Sequence, residues 1–418
     1  MENDKVLNMI RGAGAVFTAA LLSVSVLLSG CAAAKSSQTG IGAAAADSGI
    51  KAGGGENTDS GIKAGGENTD GGNKAGDDNS DGAEGAEIPV TCAKGFRIRE
   101  YDNKAFRISI EGEEDFLALT EGAAVPKDCE DMAVIKIPVS DIYLAASGAM
   151  DMFIKAGALD SVKYCSTDED GWYLDEAKAA MEKGNISYVG KYSEPDFEFL
   201  LDEGCHLAIE NTMIYHKPQT MEKLKELGIP VIVDLASREN DPLGRMEWIK
   251  LYGILTGHYE DACEAFEKQV ALAGSFSDTG KSVGFFYFAS DGTVSVRRSD
   301  DYIPAMIKMA GGNYVFDDLY GDNELSTENI QMEDFYVTAK DADYLIYNGM
   351  ITGDMPGIEE LVAQNSLLAD FRAVKEGHVY QASKDFYQSA MSIGAMINDI
   401  HLMLEDAEGG YALLKKLE

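Results

Sequence analysis

The chain has 418 residues, a formal net charge of −36 and a hydrophobic fraction of 45%. That length exceeds what one hydrophobic core serves, so two lobes are expected behind any leader. A surface this acidic repels nucleic acid and anionic lipid headgroups, which excludes both as direct partners of the folded part and makes any local basic island informative.

In chain order, Arg11 precedes an apolar run from Ala13 to Leu28 that closes in Leu28-Ser29-Gly30-Cys31. The run is short for a membrane span and has the anatomy of an export signal. A cysteine directly after Leu-Ser-Gly resembles the lipobox of bacterial lipoproteins. That resemblance implies cleavage before Cys31, diacylglycerol on its thiol, and a mature protein held to the cell membrane on the extracytoplasmic face. A plain secretory signal with an incidental cysteine is the other reading. Residues 1–30 are thus expected as signal peptide.

Residues 31–88 read as a tether. Asp47 to Thr58 recurs almost intact as Asp59 to Thr69 and decays into Asp70 to Ser80, a period too short for a solenoid and a composition that cannot bury a core. From Ala32 to Ile88 there are ten acids and four lysines, so about −30 of the charge falls on residues 89–418. A coil of roughly 57 residues spans about 40 Å on average, enough to stand off from a membrane.

Beyond Cys31, the cysteines are Cys92, Cys129, Cys165, Cys205 and Cys263, odd in number and without a C-x-x-C pair. This spacing argues against a disulfide framework or a zinc site, and buried thiols are expected. Over 89–130, Phe96, Ile98, Phe106, Ile108 and Ile110 alternate with polar residues across Asp102-Asn103-Lys104, predicting a hairpin in a small β extension.

After Met132 strands alternate with helices, the mark of a parallel α/β sheet. Ala133 to Ile137 reads as the first strand of an N-terminal lobe over 131–257, followed by a helix over Ala149 to Ala158, a strand over His206 to Glu210, a helix over Gln219 to Leu227 and a strand over Ile229 to Val233. Leu243 to Leu255 predicts a strong helix. Thr256-Gly257 interrupts it, and Tyr259 to Leu272 predicts a second, within a connector over 258–280. The rhythm restarts in a C-terminal lobe over 281–418, with strands at Ser282 to Phe288 and Asp343 to Tyr347, and helices at Tyr302 to Met309 and Ser389 to Leu404. Two lobes joined by a rigid helix leave a cleft between them as the place for a ligand.

Three segments then carry a resemblance. They are Met309-Ala310-Gly311-Gly312-Asn313-Tyr314-Val315-Phe316, Asp341-Ala342-Asp343-Tyr344-Leu345-Ile346 and Phe371-Arg372-Ala373-Val374-Lys375-Glu376-Gly377-His378-Val379-Tyr380. In order and spacing, over roughly residues 130–405, they resemble the solute-binding lipoproteins of ABC importers with a single helical spine, which take iron-siderophore, haem or cobalamin. Ala342 stands where that family has proline. The resemblance implies an α/β fold of two Rossmann-like lobes joined by one long helix, the class III periplasmic-binding-protein fold, with the N-terminal β extension added here. It also implies an ABC permease with its ATPase as partners, no catalysis and no cofactor of its own, the cargo being an iron chelate.

In that family one glutamate on each lobe meets arginines of the permease, and Glu198 and Glu333 occupy the matching positions. Both also open predicted helices, where a carboxylate is favoured by the dipole alone. For the ligand, Arg297 and Arg298 form the basic island, since guanidinium forks suit catecholate, carboxylate or propionate oxygens. A surface ion pair with Asp300 or Asp301 is the alternative. Arg245 is a further ligand candidate or a brace for Asp241 or Glu247. Tyr192, Thr212, Tyr287 and Tyr347 end strands or begin the adjoining loops, the cleft side of open α/β sheets. Trp172 either covers a flat ligand or caps the N-lobe. The histidines are dispersed, with neither H-x-H nor H-E-x-x-H, so a free-metal site is not expected. No G-x-S-x-G, phosphate-loop or dinucleotide motif stands at a strand–helix junction, which counts against catalysis; a surface sensor or an enzyme on the same scaffold is the other function class.

Overall fold

The computed structural model describes residues 85–102, 104–320 and 326–418. The leader, Cys31, nearly all of the tether and Asn103 lie outside the described residues.

The first layer is a five-stranded sheet in the order Ala86–Glu87, Phe96–Tyr101, Ala105–Ile110, Phe116–Thr120, Ala133–Ile137. The predicted hairpin is present, with Tyr101 opposite Ala105 and Phe96 opposite Ile110. Period-two alternation turns Phe96, Ile98, Ile108 and Ile110 inward, and Phe96 packs on Trp248 with ring centroids 4.8 Å apart. Ala133–Ile137, expected to open the N-lobe, instead closes this sheet in parallel with Phe116–Thr120. A strand sequence states its period but not its partner, and here the adjacent extension supplied one.

The N-lobe sheet therefore begins later. Its order is Val231–Asp234, Leu207–Asn211, Ile142–Leu144, Val162–Cys165, Ser187–Tyr188, all parallel. Helices Ala149–Lys155, Asp175–Glu182 and Pro218–Glu226 connect its strands. The C-lobe sheet runs Thr327–Ile330, Val294–Arg297, Ser282–Phe288, Tyr344–Asn348, Val379–Ala382, Leu414–Lys416, with Asn313–Tyr314 also on Ser282–Phe288. Its centre is parallel and both edges are antiparallel.

Between the sheets runs the helix Tyr259–Ala273, free of internal Gly and Pro, burying Tyr259, Ala262, Cys263 and Phe266 at helical spacing. The closing helix Ile393–Leu404 lies against it so tightly that a methyl at Gly394 would collide with the Gln269 carbonyl oxygen. The predicted single helix over Leu243 to Leu255 is two, Pro242–Glu247 and Ile249–Thr256, parted at Trp248. The break lies where Glu247 and Trp248 both turn into the junction with the first sheet.

That junction is polar, with its two carboxylates buried. Glu247, fully buried, accepts N–H groups from Thr91, Cys92 and Ala93 at 2.6–3.0 Å, and pairs with the equally buried Lys250 at 2.5 Å. Glu239 accepts from Lys94 N–H at 2.9 Å, Gly95 N–H at 2.8 Å and the Trp248 indole at 3.2 Å. Gly244 admits the backbone of Cys92, whose carbonyl oxygen would lie 3.0 Å from a Cβ there.

Cys92, Cys129, Cys165, Cys205 and Cys263 are all buried and free. Burial pushes the thiols of Cys165, Cys205 and Cys263 up to about 11. Among the described residues no helix is long and apolar enough to cross a membrane.

Removing one partner of a buried ion pair leaves the other charge stranded. Glu247→Ala is expected to lower stability by about 3–5 kcal/mol in chemical denaturation, whereas Glu87→Ala, which breaks the exposed pair with Arg99 at 2.7 Å, should leave the denaturation midpoint nearly unchanged.

Candidate functional site

A cavity of about 400 Å³ lies between the two lobes. Its N-lobe wall is built at and just beyond the carboxyl ends of four parallel strands: Ala145 to Gly148, Ser166 and Thr167, Asn211 to Met213, and Asp234 to Ser237. This is where open α/β sheets present ligand groups, because the loops there diverge from the last paired residues. Asn211 fixes one of those turns by donating to the Ala145 carbonyl at 3.0 Å and accepting the Met213 N–H at 2.9 Å. The C-lobe wall comes from Arg297, Asp301, Tyr302, Ser326, and the stretch from Phe386 to Ile393.

Four of the seven ligand residues expected from sequence line this cavity: Tyr192, Thr212, Arg245 and Arg297. Arg245 braces neither Asp241 nor Glu247. Its Nε donates to the Glu239 carbonyl at 2.8 Å, its Nη2 to the Ser237 carbonyl at 2.7 Å, and its guanidinium lies 3.7 Å over the Tyr302 ring of the other lobe. Arg297 is 5% exposed and 3.6 Å from Asp301, with Nη1 3.4 Å from the Ser326 hydroxyl and no hydrogen-bond partner for its Nε. Burial opposes its charge, but Asp301 and the surrounding phenols more than offset this and hold it protonated.

The other three lie elsewhere. Arg298 pairs with Glu328 at 2.5 Å, because successive residues at a strand end face opposite sides. Tyr347 is buried, its hydroxyl 2.6 Å from that of Thr352, and Tyr287 is half-buried in the sheet outside the lining. Trp172 covers nothing: it is fully buried and donates its indole N–H to the Thr167 carbonyl at 3.2 Å. Glu198 and Glu333 are exposed in the first turns of Phe197–Asp202 and Met332–Ala339.

Sequence reasoning missed Asn211, Ser237, Asn240, Asp301, Tyr302 and Tyr387, all of which line the cavity. The strand-end rule applied to Leu207–Asn211 and Val231–Asp234 would have found Asn211 and Ser237. Tyr302 and Tyr387, which start a helix and end a 3-10 turn, carried no such signal.

Two buried acids lie near the ends of adjoining strands, Asp234 lining the cavity and Glu210 outside its lining. Asp234 accepts from Ala236 N–H at 2.6 Å and from the Tyr252 hydroxyl at 2.7 Å, and burial still raises its pKa. Glu210, one residue before Asn211, is fully buried, and neither carboxyl oxygen has a hydrogen-bond partner. Burial alone pushes it up to about 8. Among the described residues no three of His, Cys, Asp and Glu gather as a metal site.

Residues 150–386 match the periplasmic binding protein family. The chain is 27% identical over 269 residues to an uncharacterized lipoprotein of Methanocaldococcus jannaschii, covering 62% of this chain and 63% of that one. It thus spans just under two thirds of that relative's length. Among solved structures, a periplasmic binding protein from Veillonella parvula aligns with a TM-score of 0.56 at 15% identity, covering 73% of this chain and 99% of that chain. The periplasmic heme binding protein HutB of Vibrio cholerae aligns with 0.51 at 17% identity, covering 62% and 97%. At such identities the likeness is one of fold.

Glu210 makes stability depend on pH with a definite sign. It is neutral in the fold and ionised in the unfolded chain between its ordinary 4.5 and about 8, so stability falls as pH rises through that window, by about 1.4 kcal/mol per unit. Glu210→Gln, which cannot ionise, should remove this component of the slope in melting midpoints measured from pH 5 to 8.

Proposed function

Since the chain belongs to the periplasmic binding protein family, we propose that it is the extracytoplasmic receptor of an ABC importer, lipid-anchored through Cys31, that captures an anionic iron complex, a ferric siderophore. The observation that carries this reading is the two-sided cavity with Arg245 on one wall and Arg297 on the other. A guanidinium offers planar paired donors to carboxylate or catecholate oxygens, and Arg297 keeps a buried Nε–H without a partner. Capture and closure are the whole of the mechanism; the family is one of binding proteins, and no bond in the cargo is made or broken.

Anchorage at Cys31 is supported by the Leu-Ser-Gly-Cys sequence and by the M. jannaschii relative, whose name is lipoprotein. Docking on the permease through Glu198 and Glu333 is supported by their exposure, one on each lobe. The permease and its ATPase would then sense the closed receptor through both carboxylates. A haem is the second reading, favoured by Tyr302, Phe386 and Tyr387 on the C-lobe wall, aromatic surfaces suited to a flat ring.

Mass spectrometry of whatever small molecule co-purifies with the chain identifies the ligand, and tryptophan emission titrated with ferric catecholates, ferric hydroxycarboxylates and haem ranks the classes. Arg297→Ala is expected to weaken an anionic chelate about 10- to 100-fold, the worth of a charge-assisted hydrogen bond, while Arg298→Ala leaves affinity unchanged. Equal losses from both variants would remove the cavity from the binding site. Glu198→Arg combined with Glu333→Arg should retain binding and abolish uptake in cells.

A further inference from the structure

Gln388 ends the 3-10 turn Lys384–Tyr387 of the C-lobe and is 9% exposed. Its side chain crosses to the other lobe, where Oε1 accepts the Tyr173 N–H at 2.7 Å and Nε2 donates to the Gly171 carbonyl at 2.8 Å. One donor and one acceptor thus engage backbone groups two residues apart, the pattern by which a strand residue reads its neighbour. The residue between them is Trp172, whose indole holds the Thr167 carbonyl, and Thr167 lines the cavity. On the C-lobe side, Tyr387 and Ala390 flank Gln388 and line the same cavity. Three residues on, the Met391 N–H donates to Asp151 Oδ2 at 2.8 Å, and Asp151 lies on the helix Ala149–Lys155, directly after the Ser147-Gly148 lining. This side of the cavity is therefore closed by polar contacts between main chain and side chain, not by apolar packing alone.

We propose that Gln388 is a positioning residue that sets the separation of the two lobes along this wall and, through the Gly171–Tyr173 turn and Trp172, ties that separation to the cavity residue Thr167. The chemistry favours an amide: it presents a donor and an acceptor on separate atoms at any physiological pH, where a hydroxyl offers both on one oxygen. A carboxylate would keep the Tyr173 contact and set a negative oxygen against the Gly171 carbonyl, and an aliphatic chain would leave both backbone groups unsatisfied in a closed wall. Apolar packing would hold the lobes together without regard to register, whereas two directional bonds hold one spacing. The inference concerns the lobes themselves and stands whichever ligand fills the cavity.

The test uses the full chain with spin labels at two exposed positions, Glu182→Cys on the N-lobe and Glu359→Cys on the C-lobe. The described native thiols are buried and do not compete for the label. In pulsed dipolar spectroscopy without ligand, Gln388→Leu is expected to lengthen and broaden the interlobe distance, and Gln388→Glu to do so to a smaller extent. Hydrogen exchange should show the Tyr173 amide about tenfold faster in Gln388→Leu, the worth of one net hydrogen bond, with the strands Phe96–Tyr101 and Ala105–Ile110 unaffected. A distance distribution unchanged by Gln388→Leu overturns the proposal, whatever the Tyr173 amide does. If Gln388→Leu does not fold, Gln388→Glu carries the same test, and an unchanged distribution there overturns it equally.

Discussion

Five consecutive backbone N–H groups, from Thr91 to Gly95, end on two buried carboxylates, Glu247 and Glu239. A carboxylate taken out of water must be satisfied on nearly every lone pair, and the main chain supplies the donors where no bulk solvent can. The consequence reaches beyond the junction. Glu247 ends the short helix Pro242–Glu247, so pinning it fixes that helix in rotation as well as in position. Arg245, two residues earlier on the same helix, is thereby aimed into the cavity, and the Glu239 carbonyl that holds its Nε belongs to the residue whose carboxylate clasps the incoming chain. The first sheet is thus not an appendage: its attachment and the orientation of a cavity arginine are one piece of structure.

Much of this architecture was legible in the residues. The uninterrupted helical period from Tyr259, the β-rich run Ser282 to Phe288 and the helix from Tyr302 are local signals, and they appear where the chain states them. Pairing across distance was not legible. Ala133–Ile137 reads as a strand by itself, and nothing local says whether Phe116–Thr120 or Leu207–Asn211 will be its neighbour. The helix break at Trp248 follows directly on Glu247, whose partner Cys92 is 155 residues away in sequence.

The candidate site was half legible for a related reason. Loops after parallel strands are found from the strands, which located Thr212 and, applied to its neighbour, would have located Asn211. The arginine pair shows the limit. Arg297 and Arg298 are chemically identical in the sequence, yet one faces the cavity and the other Glu328, because a strand separates adjacent side chains to opposite faces. Composition drew attention to both, and only the register of Val294–Arg297 against Thr327–Ile330 distinguishes them.

The five sheltered sulfhydryls have a bearing on how reversibly the molecule can unfold. In the native state none is accessible, and their high proton affinity keeps them from acting as nucleophiles, so an oxidant finds no foothold. Melting exposes these five on one polypeptide, free to pair with one another or with a neighbouring molecule. In air, heating and cooling would then trace different curves, hysteresis that a reductant abolishes, and durability under oxidising conditions becomes a matter of how seldom the fold opens.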